Sequence, residues 1–266
     1  MNALWIIALN TIREASRQRL VLALSVSSVA VVSGSLLFQQ LDFGKDELKF
    51  IVDFGFGSMT FLGAILSIFA TAQLYFSELD QRTVHTLLAR PISRSSFVLG
   101  KALGAFVVVC SFLALTATTL LAVMLYRSSQ LNLASGSWIG FDVIVFSILQ
   151  GFRSAVLISL VMFIGSYARS QLLTVVVSLF LWVVFQIQYI ANSAWDEAAS
   201  KTTRFASWVL ECCVPNFEKF NVGDQLVFRE PGLLRLGGLF ELGVYAAAFT
   251  ALYLTCAVWS FNRREF

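Results

Sequence analysis

Polar positions along this chain are sparse and clustered. Between the clusters lie six long apolar stretches, at about 20–38, 52–76, 102–125, 141–166, 172–192 and 236–261. A helix needs roughly 20 apolar residues to cross the hydrocarbon core of a bilayer, so each stretch predicts a spanning helix. The stretches are continuously apolar rather than alternating, which argues against a membrane β-barrel. In lipid, a helix satisfies every backbone group within its own segment. Residues 1–17 have a different period. Met1, Leu4, Trp5, Ala8, Leu9, Ile12 and Ala15 recur on one helical face, while Asn2, Asn10, Arg13, Glu14 and Arg17 gather on the other, with Ile6 and Ile7 as exceptions. This predicts an amphipathic helix lying in the membrane plane. Its apolar face is interrupted and no small-residue cleavage site follows, which disfavours a signal peptide.

Composition agrees. The chain is 58% hydrophobic and 13% charged, with a mean hydropathy of +0.77, whereas soluble domains run at about 25% charged. No linker or fixed-period repeat divides it, so residues 1–266 read as one transmembrane domain. The net charge of +3 is small and dispersed and gives no reason to invoke nucleic acid. Six spans place both termini on one side. The short segments on that side hold Arg13, Arg17, Arg19, Arg82, Arg90, Arg94, Lys101, Arg169, Arg263 and Arg264, whereas the short segments opposite hold Lys45, Lys49 and Arg127. The positive-inside rule then predicts cytoplasmic termini.

The long segment 193–235 contains Trp208, Pro215, Phe217 and Phe220 within or near the run PNFEKFN, and is expected to cap the bundle on its outer side. Cys212 and Cys213 lie in it as neighbours, a spacing that strains a disulfide. Cys110 and Cys256 fall inside spans as small core residues. Catalytic and nucleotide motifs are missing. The only Gly-Lys pairs, Gly44-Lys45 and Gly100-Lys101, lack the earlier glycine and the following Ser or Thr of a phosphate-binding loop, and a single histidine excludes HExxH. Asp53, Asp142 and Glu241 fall near the outer ends of spans, where they either reach interfacial water or ring an exit. Arg153, with Gln150 one turn earlier, falls in the middle of the fourth span. A charge there must face the protein interior, a partner subunit or a wet cavity, as a structural ion pair or as a substrate contact.

The polar cluster between the second and third spans is dense. Residues 77–101 read SELDQRTVHTLLARPISRSSFVLGK. Leu79, Val84, Leu87 and Leu88 approximate one stripe of a short helix, which Pro91 should end at Arg90. Ser93 or Ser95 can cap the helix that follows. Positive-inside anchoring alone does not require this mixture of acids, Thr83, His85 and a proline turn. The run through Glu78, Arg82, Thr83, Leu87, Leu88, Arg90, Pro91, Arg94, Gly100 and Lys101 resembles the permease subunits of type-2 ABC exporters, among them those of nitrous oxide reductase maturation, gliding motility and antibiotic export. The C-terminal FNRREF and the outer VPNFEKFN are similar to the same family.

The resemblance implies an all-α membrane protein of six transmembrane helices, with an in-plane connecting helix at 1–17 and a cytoplasmic coupling helix at 79–96 between spans 2 and 3. It implies that Glu78, Arg82, Thr83, Arg90, Pro91 and Arg94 serve docking to the ATPase. It also implies two separate ABC ATPase subunits that carry ATP and Mg, no cofactor in this chain, and a second permease copy or paralogue. Spans 2 and 5 would line the path, with Phe54, Phe56, Met59, Phe61, Phe180, Phe185, Gln186 and Tyr189 as candidates. The rival readings are a non-transporting ABC membrane subunit that relays ATPase motion to outer partners, and an intramembrane enzyme. His85 has no nucleophile or carboxylate partner inside a span to support the latter.

Overall fold

A computed structural model describes residues 3–40, 47–80, 93–130, 136–197, 214–223 and 236–263, and every regular element among them is helical. The helices are α1 (Ala3–Ala15), α2 (Arg19–Gly34), α3 (Glu47–Asp80), α4 (Arg94–Gln130), α5 (Gly136–Tyr167), α6 (Gln171–Glu197) and α7 (Leu236–Arg263), with short 3-10 turns at Ser35–Gln40 and Glu218–Phe220. Five of them are long and apolar enough to cross a membrane, over Arg19–Leu37, Leu48–Ser77, Arg94–Gln130, Gly140–Tyr167 and Gly238–Arg263, and α6 contributes a shorter apolar stretch, Gln171–Gln186. The sequence predicts a sixth full span at 172–192; the described apolar part of α6 is shorter than that.

The core lies where α3, α4 and α5 pack together, with α7 against α5 and α6 against α3 and α5. Small residues set the closest approaches. A Cβ on Gly55 of α3 would lie 2.6 Å from Leu120 of α4. Aromatic stacking fills the wider gaps, as where Phe56 stacks on Phe146 with ring centres 3.9 Å apart. Several buried hydroxyls are satisfied on their own helices. Ser67 donates to the Gly63 carbonyl at 2.7 Å, Ser159 to Val156 at 2.7 Å and Thr116 to Phe112 at 3.0 Å. Back-bonding of this kind lets a span carry Ser and Thr without an unpaired donor.

Candidate functional site

Two features concentrate polar chemistry. The first is the seat of α1 on the start of α4. The α1 residues Ile7, Ala8, Thr11 and Ala15 are buried, while Trp5 and Ile6 face outward. The buried stripe is thus shifted from the predicted apolar face, and Ile7, an exception in the sequence pattern, is part of it. The reason lies in α4. A Cβ on Gly100 would lie 2.9 Å from Ile7 Cβ, and one on Gly104 would lie 2.5 Å from Thr11 Cβ and 3.1 Å from the Ala8 carbonyl oxygen. Two small residues four apart form a groove that admits another helix backbone. Between them, Lys101 is 1% exposed and donates to Glu14 Oε2 at 3.2 Å.

Arg94, at the first turn of α4, donates to the carbonyl oxygens of Asn262 at 3.0 Å and Phe261 at 3.5 Å. A cation among the last carbonyls of a helix satisfies orphan acceptors and complements the helix dipole. Phe97 stacks on Phe261 beside this contact. Arg94 therefore ties the start of α4 to the end of α7 within one chain. Ser93 Oγ accepts from the Ser96 backbone N–H at 3.2 Å, the expected N-cap. Arg82, Thr83, Arg90 and Pro91 lie outside the described residues, as do His85, Trp208, Cys212 and Cys213. Glu78 falls in the last turn of α3 and Tyr189 on α6, but their side chains are outside the described set.

The second feature is the segment 214–223. Sequence reasoning places it as a cap on the outer side; the structure sinks part of it into the bundle. Phe217 and Phe220 are both fully buried. Phe217 meets Phe185 of α6 edge-on at 5.2 Å, and its backbone N–H donates to the Phe185 carbonyl at 3.4 Å. The Asn216 backbone N–H donates to Tyr245 Oη of α7 at 2.8 Å, Lys219 sits over the Tyr245 ring at 4.8 Å, and Gly223 lies against Phe56 and Phe146. The turn is thereby held by α3, α5, α6 and α7. Internal bonds from Glu218 N–H to Asn216 Oδ1 at 2.9 Å and from Asn221 Nδ2 to Glu218 Oε1 at 3.2 Å fix its shape.

Arg153 lies under this turn, at the midpoint of the apolar stretch Gly140–Tyr167 and about 20 Å from either end at 1.5 Å per residue. It is 2% exposed, and its guanidinium carbon lies 5.1 Å from the centre of the Phe217 ring. Glu218 is the acid within electrostatic reach. The guanidinium nitrogens and Gln150 Nε2 have no hydrogen-bond partner among the described residues. The two side chains sit three residues apart, on one helical face.

Of the candidate lining residues, Phe56, Met59 and Phe185 are enclosed within the protomer. Phe54, Phe61 and Phe180 are exposed, and Gln186 is half-buried. Asp53 and Glu241 are exposed and Asp142 is half-buried. A recess of about 340 Å³ between α1, α4, α5 and α7, walled by Leu4, Leu103, Phe106, Ile158 and Leu254, is almost wholly apolar. It offers room for an alkyl chain and little to recognise a polar group.

The family model described as ABC-2 family transporter protein matches residues 5–207. The chain belongs to the ABC-2 transporter family. No curated protein matches it. This ABC-2 protein is accordingly a multi-pass membrane permease subunit, of a family that works with ABC ATPase partners. The matched stretch takes in α1 to α6, with Arg153 and Gln150, and stops before the 214–223 turn. Glu14, Gly104 and the descent of Phe217 were missed by sequence reasoning. The Gly100–Gly104 spacing was the available signal for the first two; the two phenylalanines of NFEKF were a weaker signal for the third.

Proposed function

We propose that this ABC-2 protein is the permease of an ATP-driven exporter, with six spans, cytoplasmic termini and α1 as the in-plane connecting helix. ATP and Mg are bound on two separate ATPase subunits, and two permeases, identical or paralogous, form the path within the lipid. The segment 79–96 is the coupling helix, and Glu78, Arg82, Thr83, Arg90, Pro91 and Arg94 shape its docking surface. Phe54, Phe61, Phe180 and Gln186, which are not enclosed in the protomer, are the lining residues most available to a path. Within the family, the loop motif resembles that of the permeases of nitrous oxide reductase maturation.

One observation carries the mechanical part. The helix that follows the 79–96 segment is bound to α1 through Gly100, Gly104 and the Lys101–Glu14 pair, and to the end of α7 through Arg94. A push on that segment therefore reaches α1, span 3 and the last span together. An exchange of ion pairs across a docking surface fixes orientation as well as affinity.

The test is purification of the tagged chain from its native membrane. An ABC ATPase should accompany it, and the isolated chain should hydrolyse no ATP. Glu78→Ala and Arg90→Ala should leave its membrane level unchanged while reducing ATPase recovery and substrate-stimulated hydrolysis. Unchanged recovery and stimulation in both variants would reduce the segment to a charge anchor, and hydrolysis by the isolated chain would refute the division of labour.

A further inference from the structure

We infer that Arg153 and Gln150 form a binding site for an anionic group, a carboxylate or a phosphate, carried by the transported molecule, with the Phe217–Glu218 turn as its roof. The word "transported" rests on the permease reading above; the binding site itself does not.

An arginine side chain offers five N–H donors in a planar fork and cannot shed its charge in a protein. At mid-span, 2% exposed, the Nε, Nη1 and Nη2 atoms of Arg153 have no acceptor among the described residues. Gln150 is 3% exposed and its Nε2 also lacks one. Ser67 and Ser159 solve this problem on their own helices, and although the hydroxyls of Thr71, Ser178 and Thr250 are also unpartnered among the described residues, Arg153 leaves three nitrogens and a full charge without an acceptor. Buried polar groups without partners are rare in folded proteins and point to an unfilled requirement.

The requirement has a sign. Both side chains present donors to one face, and the guanidinium fork matches the two oxygens of a carboxylate or phosphate. A cationic ligand would meet the like charge of Arg153. The Phe217 ring at 5.1 Å steadies the guanidinium through its face, and Phe217 leans in turn on Phe185, so an apolar wall stands beside the charged centre. That combination suits an amphiphile, with an anionic head against Arg153 and a carbon skeleton against the aromatic pair. Glu218 is within electrostatic reach, but its Oε1 is engaged by Asn221 Nδ2. It acts as a competing negative charge on the roof, which an incoming anion must displace.

The experiment uses the full chain alone in nanodiscs of zwitterionic lipid, reading the thermal unfolding midpoint against octyl phosphate and octanoate, with octanol and octylamine as chain-matched controls. The two anions should raise the midpoint saturably and the controls should not. Arg153→Gln should weaken apparent affinity for octyl phosphate by roughly ten- to a hundredfold, and Gln150→Met by about tenfold, as expected for hydrogen bonds to a charged group. Glu218→Gln should tighten it. No saturable response to either anion in the wild type, or equal affinity in wild type and Arg153→Gln, overturns the proposal. If Arg153→Gln fails to fold, unchanged affinity in Gln150→Met overturns it instead. A parallel arm adds anionic phospholipid. An Arg153-dependent response to that lipid with none to octyl phosphate overturns it in favour of a structural lipid. No ATPase is needed, so a chain that binds the anions yet recruits no ATPase would refute the permease reading and leave this site standing.

Discussion

Lys101, 1% exposed on α4, places its ammonium 3.2 Å from Glu14 Oε2 on α1, whose side chain is 29% exposed. The pair is asymmetric: one partner is sealed in the protein and the other borders the surface. Removing one member of a buried pair costs more when the charge left behind cannot reach water. Glu14→Ala should therefore destabilise the protein by about 3 kcal/mol, whereas Lys101→Met, which fills the space and leaves Glu14 near the surface, should cost under about 1 kcal/mol. Thermal unfolding of both purified variants checks the order; equal losses would show that the pair carries no such asymmetry.

The glycine seat predicts a steric contrast. Gly104→Ala places a methyl group 2.5 Å from Thr11 Cβ and 3.1 Å from a backbone oxygen, so α1 must shift. Gly63→Ala meets Leu113 at 3.5 Å, an ordinary contact. The first change should cost about 1–3 kcal/mol by overpacking, and the second should stay within about 0.5 kcal/mol of the wild type. Unfolding midpoints decide, together with cross-linking of cysteines placed on α1 and α4.

Arg94 joins two distant ends of the chain. Arg94→Ala should free the end of α7, costing about 1–2 kcal/mol for charge-assisted bonds at a half-buried position, and Arg94→Lys should recover part of the loss. Protease cleavage of a C-terminal tag reads the effect directly: cleavage should accelerate in the alanine variant. An unchanged rate would mean that the carbonyls of Phe261 and Asn262 are held without it.

Phe217 is the wedge of the buried turn. Phe217→Ala removes its edge contact with Phe185 and the ring beside Arg153, and should cost about 3 kcal/mol or more, whereas Phe217→Leu retains most of the volume. Limited proteolysis near 214–223 should be faster in the alanine variant alone.

Orientation can be read at the two ends of α4. Ser93 and Ser129 are both exposed. With cytoplasmic termini, Ser129→Cys should be labelled by an impermeant maleimide in intact cells and Ser93→Cys only after permeabilisation. The reverse pattern would invert the topology.

Apolar run length alone determined that this chain is a helical membrane bundle, because lipid leaves a continuous apolar segment few other ways to pair its backbone. The loop sequence between spans 2 and 3 was enough to point to the ABC-2 family. Arg153 and Gln150 could be singled out from sequence as well, since a charge at mid-span is conspicuous in any hydropathy reading. What they face could not. Phe217 and Glu218 lie more than 60 residues later, in a segment whose mixed polarity reads equally as a surface loop. Only the packing of α3, α5, α6 and α7 around Phe217 and Phe220 brings that segment down to Arg153. The seat of α1 shows the same division. Hydrophobic periodicity selected Trp5 and Leu9 and passed over Ile7, because periodicity ranks side chains by polarity. Burial was decided instead by where Gly100 and Gly104 let a backbone approach, and by Lys101 finding Glu14 across that contact. Such choices depend on shape between segments distant in the chain, which no single segment encodes.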